Sequence, residues 1–390
     1  MDLDLSETQK LMVDSARRVG ARFGLDYWRD LDAAKAYPDE FWVEVCNAGL
    51  AGVVVPEDLG GSGLGMLDLA LVVEALAESG GGSTVGQLFM NNPIFCGVPV
   101  ARFGSAGQKR KHLPGMMSGR RRYAMALTEP DAGTNTLEMR SFARQDGAGW
   151  RLNGQKIWIT GMREADSVII VARTRPYDPA GRRSDGISMF LVDTDREGLS
   201  HTPIDKVGTR TQSASIVHFD NMRIEPDECL GTPGAGWRDL LDVLNTERIV
   251  TTAALVGTAS LALGMAVDFA ADRKVFGGRP IGAYQGLQFP LAHAYAVNEA
   301  ARLMNRRAAA LFDAGRPYGS EANMAKLLAG EAAAVATDRC MQTMGGMGYA
   351  SESHVERLWR DARLFRIAPV SEEMILNYIA RENLGMPRSY

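Results

Sequence analysis

Ala126-Leu127-Thr128-Glu129-Pro130-Asp131-Ala132-Gly133-Thr134-Asn135 closes a short apolar run and opens through proline, aspartate and glycine into a loop. Downstream, Asn153-Gly154-Gln155-Lys156-Ile157-Trp158-Ile159-Thr160 returns to an extended, alternating pattern. Around this pair of segments the sequence keeps a period of two. Runs at 123–127, 149–152, 156–160, 167–172, 187–191 and 214–219 read as short strands, punctuated by Gly, Asp and Asn. Pro176-Tyr177-Asp178-Pro179-Ala180-Gly181 is turn-rich and reads as a loop between two of them. No helix-length run separates these strands, and no glycine-rich dinucleotide fingerprint follows one. A sandwich or barrel is therefore expected rather than a doubly wound sheet.

On both sides the period lengthens. Ser6 followed by Glu7-Thr8-Gln9 predicts a capped helix whose apolar side includes Leu11, Met12, Ala16 and Val19. Further helical runs are read at 41–50 and 67–77, separated by the apolar stretch 52–56 and the loop Gly60-Gly61-Ser62-Gly63-Leu64-Gly65. Beyond Gly236, helices are read at 237–272, 284–314, 321–343 and 371–381, with breaks at Gly277-Gly278, Gly315-Arg316-Pro317 and Gly345-Gly346-Met347-Gly348. The alanine-rich stretch 325–336 suits a close-packed bundle. The expected class is α+β, with an N-terminal helical domain over 1–120, a central β-sandwich or barrel domain over 121–232 and a C-terminal four-helix bundle over 233–390.

Composition narrows the function. Lys+Arg 43 against Asp+Glu 47 leaves a net charge of -4, which argues against a broad basic field for nucleic acid or an anionic membrane. Cys46, Cys96, Cys229 and Cys340 are too widely spaced for a metal cluster or a disulfide framework, so no metal is expected and a reducing compartment is. The acidic start Met1-Asp2-Leu3-Asp4 lacks the basic region of a secretory signal. No uninterrupted apolar stretch of spanning length is read, and the expected setting is cytoplasmic, without membrane insertion.

The 126–135 segment resembles the signature of the acyl-CoA dehydrogenase family. Further matches recur in family order: Val54-Val55-Pro56-Glu57 with Gly60-Gly61, then 153–160, Arg273-Lys274-Val275-Phe276-Gly277, Gln285, Gln342-Thr343-Met344-Gly345-Gly346 and Arg360-Asp361-Ala362-Arg363. The resemblance implies the family fold, bound FAD, an acyl-CoA substrate, fatty-acid metabolism of the β-oxidation type and a homotetramer built as a dimer of dimers. It places Trp158 beside the isoalloxazine and Thr160 near N5, where hydride arrives. Leu127 and Thr128 then meet the pyrimidine side, while Gly133 and Thr134 lie near the cofactor phosphates. Arg273, Phe276, Gln285, Gln342, Gly345 and Gly346 reach the adenosine and pyrophosphate of an FAD held mainly by another subunit. By residue type alone, Trp158 reads as a core aromatic and Arg273 as a solvated helix end. The ordered set of motifs turns both readings toward the cofactor, where a guanidinium fork suits phosphate oxygens.

Dehydrogenation also needs a base for the hydrogen beside the thioester carbonyl, and a carboxylate serves when burial raises its proton affinity. Most familiar members carry this glutamate near the C terminus. Aligning on Arg360-Asp361-Ala362-Arg363 and Ile367 places Pro369 there, which accepts no proton and offers no N–H to polarise the thioester. Glu247, in Asn245-Thr246-Glu247-Arg248-Ile249-Val250, resembles the earlier position used in the long-chain and isovaleryl branches and is assigned as the base. Asn245 and Arg248 match positions that bind acyl-CoA; Glu372 and Glu373 follow the usual base position. By residue type alone Glu247 is an exposed helix carboxylate or a partner for Arg248.

The leading expectation is a dehydrogenase that passes electrons to an electron-transfer flavoprotein. Alternatives are an acyl-CoA oxidase-like enzyme, disfavoured by dehydrogenase-like length up to Tyr390, an FAD-linked monooxygenase, and a weakly catalytic CoA-binding subunit of a heteromer, motivated by Pro369.

Overall fold

Ser6 caps the first helix in both directions: its hydroxyl accepts from Gln9 N at 3.2 Å, and the Gln9 side chain accepts from Ser6 N at 3.0 Å. The exchange satisfies donors that a helix start leaves free. In the computed structural model, which describes residues 4–176, 178 and 180–389, seven helices precede the strands. They are α1 (Glu7–Gly20), α2 (Leu25–Ala34), α3 (Asp39–Asn47), α4 (Met66–Leu76), α5 (Ser83–Phe89), α6 (Val98–Phe103) and α7 (Ala106–Met117). The apolar stretch 52–56 belongs to a buried turn, with Val53 and Val55 fully enclosed. The readings of Met1, Asp2 and Leu3, of Tyr177 and Pro179 in the 176–181 turn, and of Tyr390 lie outside the described residues.

Eight strands form one mixed sheet: β1 (Tyr123–Ala126), β2 (Phe142–Asp146), β3 (Gly149–Thr160), β4 (Ser167–Arg173), β5 (Ile187–Asp193), β6 (Leu199–Pro203), β7 (Ala214–Ile224) and β8 (Cys229–Leu230). The order is β6-β7-β3-β2-β4-β5-β8, with β1 parallel to β4 beside that path. From Val168 to Ala172 β4 is apolar without a break because both faces are covered. Ile169 and Val171 pack into the core shared with the N-terminal helices, while Val168, Ile170 and Ala172 pack into a second core.

Two runs expected as separate strands, 149–152 and 156–160, are one. The ladder between β3 and β7 shifts register between Leu152 and Gly154, so the chain bulges at Asn153-Gly154 and continues. Gly154 sits at φ +148°, and a Cβ there would lie 2.3 Å from Ser141 Oγ. Strands β2 and β6 escaped the sequence reading because they are short and largely exposed, with Arg, Gln, Ser, His and Thr in place of an apolar alternation.

The C-terminal region contains α8 (Gly236–Asp272), α9 (Gln285–Asp313), α10 (Gly319–Met344), α11 (Val355–Leu364) and α12 (Glu372–Tyr378). Residues 249–267 of α8 carry no charge, and an 18-residue window of this helix has mean hydropathy 1.8, so the expectation that no stretch reaches spanning length and polarity fails here. The physical reason is burial: α8 packs against α9 and α10 on one side and against α4 and α5 on the other, and 78% of that window is buried. Ala322, Ala325, Ala329, Ala332, Ala333 and Ala336 are fully enclosed along α10, and their small volume permits the close approach to α8. Helix α11 was missed in the sequence, although Val355, Leu358 and Ala362 are spaced for one buried face.

The approach of α5 to α8 has no spare room. A Cβ on Gly86 would lie 2.7 Å from Ala254 Cβ. Gly86→Ala is expected to lower the unfolding free energy by about 1–3 kcal/mol through overpacking, read in denaturant unfolding of the purified chain.

Candidate active site

The loop after β1 is held by charge. The Glu129 carboxylate accepts from Arg140 N at 2.6 Å, Ser141 N at 2.9 Å and Lys156 Nζ at 2.9 Å. Lys156 also donates to Leu127 O at 2.8 Å, and Ile157 N donates to Thr128 O at 2.9 Å. Both charged side chains are enclosed, Lys156 completely. Burial works against the Glu129 charge, but Lys156 and the N–H donors outweigh it and hold the carboxyl below its usual range. Burial pushes the Lys156 ammonium down to about 8 against the pull of Glu129. The pair fixes Leu127 and Thr128 across β3, two residues from Trp158. Sequence reasoning quoted both residues without a role; a lysine inside an apolar strand was the available signal.

Trp158 has φ +63° and is 56% exposed. A positive φ is uncommon for a bulky non-glycine residue and marks local strain. The strain coincides with a second register shift in the β3–β7 ladder, between Lys156 and Ile159, which turns the indole outward. The reading of Trp158 as a core aromatic is therefore excluded. Thr160 is half-buried, and its carbonyl accepts from Asn91 Nδ2 at 3.3 Å. Asn91, a buried residue that sequence reasoning passed over, also donates to Gln212 Oε1 at 3.0 Å. Leu127 and Thr128 are half-buried, Gly133 and Thr134 exposed. A Cβ on Gly133 would find only Thr128 Cγ2 at 3.8 Å, so nothing within this chain requires glycine there. An open aromatic face, an adjacent hydroxyl and an accessible backbone loop fit a planar cofactor ring with a phosphate tail.

The second group of candidates stands apart. Arg273 follows α8 into a tight ladder pairing Lys274 with Pro280 and Val275 with Arg279. Phe276 at its tip has φ +46° and is 91% exposed. Gln285 begins α9, Gln342 lies in the last turn of α10, and Gly345 and Gly346 follow it; all four are exposed, as is Arg273. Among the described residues, no hydrogen bond or ion pair joins this group to the 127–160 wall.

Glu247 lies on the face of α8 shared by Val250, Ala254 and Thr258, which meets Gly86 of α5 and Gly82 just before that helix. It is 5% exposed, and among the described residues none hydrogen-bonds its carboxylate. Burial pushes its pKa up to about 7, against the pull of Arg248 and Lys326. Arg248 donates to Asn245 Oδ1, so the two candidate substrate-binding side chains orient one another at i and i+3. The carboxylates near Pro369 are differently placed. Glu372 forms a two-pronged pair with Arg366 at 2.7 Å, and Glu373 is exposed, its pKa lowered by its own N–H and by Ser371. Neither combines desolvation with a free oxygen.

Family profiles match the chain in order: the acyl-CoA dehydrogenase N-terminal domain over residues 6–120, the middle domain over 124–222 and the C-terminal domain over 234–384. Acyl-CoA dehydrogenase FadE12 of Mycobacterium tuberculosis is 40% identical over 387 residues, covering 99% of this chain and 98% of that one. Glutaryl-coenzyme A dehydrogenase, solved as its glutaryl-CoA complex, superposes with a TM-score of 0.94 at 30% identity over 100% of this chain and 98% of the other. PigA, solved as an FAD complex, superposes with a TM-score of 0.93 at 30% identity over 99% of both chains.

Glu129→Gln leaves the Lys156 ammonium buried without a counter-charge. The expected loss is about 3–5 kcal/mol in urea unfolding, with much of it recovered when Lys156→Met is added.

Proposed function

The chain belongs to the acyl-CoA dehydrogenase family, with FAD as its cofactor and FAD-dependent dehydrogenation of acyl-CoA as its chemistry, and on that premise we propose that Glu247 is the base. The observation that carries the assignment is an enclosed, unpartnered carboxylate with a pKa near 7. Such a group changes protonation state near neutral pH, as a general base must. The base thus sits on the earlier helix, in the manner of the long-chain and isovaleryl branches, and Pro369 takes no part in proton transfer.

Glu247 removes the proton beside the thioester carbonyl, from a position that is 5% exposed and flanked by the charges of Arg248 and Lys326. When bound, FAD accepts the hydride from the adjacent carbon. Trp158 supplies the flat wall and Thr160 a hydroxyl beside it, while Leu127 and Thr128 offer backbone groups and a hydroxyl to the polar edge. Gly133 and Thr134 lie toward the phosphates. Asn245 and Arg248 hold the polar part of the acyl-CoA and so align its reacting carbons with the base.

Arg273, Phe276, Gln285, Gln342, Gly345 and Gly346 reach the cofactor of a second copy. Their exposure in one chain supports this reading, and with it a homotetramer. The functional division falls at 1–120, 121–232 and 233–390. Electrons pass to an electron-transfer flavoprotein. Four unpaired cysteines support a cytoplasmic setting.

The test is anaerobic flavin bleaching over an acyl-CoA panel, followed by reoxidation with electron-transfer flavoprotein or oxygen. Glu247→Gln preserves side-chain volume and is expected to slow bleaching by about 10²- to 10⁴-fold. The bleaching rate of the wild type should rise with pH through about 7, as the carboxylate loses its proton. Wild-type bleaching in the variant would remove Glu247 from the role.

A further inference from the structure

Lys326 is an ammonium inside a helical bundle. It lies on α10 with none of its side chain exposed, on a helix whose other buried positions include six alanines. Charged side chains are seldom fully enclosed without a partner, so its position calls for a physical reason. Its hydrogen bond runs to Val370 O at 2.5 Å, and Val370 follows Pro369 in the turn between α11 and α12. Lys326 therefore ties α10 to the segment in which this chain lacks a carboxylate base.

The charges around it come from α8 and α12. Glu247 and Arg248 face it from α8, and Glu372 and Glu373 from α12. Arg366 engages Glu372 through both carboxylate oxygens, and Tyr318 and Tyr378 face Arg248. Arg248 is bound to Asn245, whereas Lys326 spends its hydrogen bond on a backbone carbonyl, and among the described residues no ion pair neutralises its charge.

We propose that Lys326 is a positioning residue for proton abstraction, clamping the Pro369 turn through Val370 O and setting a buried positive charge on the side of α10 that faces α8, where it opposes the effect of burial on the Glu247 carboxylate. This rests on Glu247 being the base. A buried carboxylate without a neighbouring cation takes up a proton and ceases to be a base. Lys326 and Arg248 both draw the Glu247 value down against burial. Burial pushes Lys326 itself down to about 8; Glu372, Glu247 and Glu373 draw it up, while Arg248 pushes it further down.

Three substitutions in the FAD-loaded enzyme separate charge from hydrogen bond. Lys326→Gln keeps a donor for Val370 O and removes the charge, Lys326→Met removes both, and Lys326→Arg keeps the charge. The readout is the anaerobic flavin-bleaching rate as a function of pH. Lys326→Gln is expected to move the midpoint of that profile upward by about one unit, close to a tenfold loss of rate below the midpoint, while the high-pH plateau survives. Lys326→Met should move the midpoint likewise and lower the plateau, and Lys326→Arg should leave the midpoint near wild type. A merely structural lysine would lower the rate equally at all pH values. A folded, FAD-loaded Lys326→Gln enzyme with an unmoved midpoint overturns the proposal, as does a midpoint moved as far by Lys326→Arg. Loss of bleaching in Glu247→Gln together with an unmoved Lys326→Gln midpoint defeats the lysine role alone. Full bleaching in Glu247→Gln defeats the base on which it rests.

Discussion

Water stripped from one carboxylate is the constraint on which the proposed chemistry depends. Glu247 is enclosed where α8 meets α5 and α10, and that enclosure holds its pKa near 7 instead of 4.5. The folded value lies above the unfolded one. The group's favourable contribution to folding is therefore complete below about pH 4.5 and is lost as pH rises through about 7, a swing of about 3 kcal/mol. The fold tolerates the loss because the same helices bury so much apolar surface. Alanines on α10 and glycine on α5 bring the helices close enough to exclude water, and the long uncharged stretch of α8 follows from being covered on every side. Burial of the proposed base and packing of the bundle are the same contact.

The loop after β1 is organised by a second buried charge, with the opposite outcome. Glu129 is satisfied by two backbone N–H groups and by Lys156, so it stays ionised and serves as a fastener. Its grip on the 127–141 loop sets Leu127 and Thr128 against β3 and leaves the bulge at Trp158 as the place where strain is stored. Two carboxylates a domain apart thus take different roles because one has donors and the other does not. The ring of Trp158 and the Phe276 hairpin are exposed in the single chain, in keeping with the cofactor and second copy proposed for them.

Much of this was legible from the residues. Ser6 with Gln9, the glycine breaks of the C-terminal half and the β-branched run of β4 gave the three-part layout, because each is a local signal with a local cause. The family motifs pointed to 126–135, 153–160 and Glu247 with Pro369. Three features were not legible. Asn153-Gly154 looked like a strand end, since only pairing with β7 reveals a bulge. Residues 249–267 were not recognised as a single uncharged run of spanning length, whose cover comes from helices distant in sequence. Lys326 and Asn91 passed as ordinary polar residues, because their burial depends on tertiary contacts that no spacing rule reports.

The most direct measurement is the titration of the Glu247 carboxyl itself, by difference infrared spectroscopy of the folded FAD-loaded protein against Glu247→Gln. A carbonyl band that belongs to Glu247 and disappears with a midpoint near pH 7 is the expected result. A band lost near 4.5, the value of a carboxylate in water, would contradict the desolvated base and the mechanism built on it.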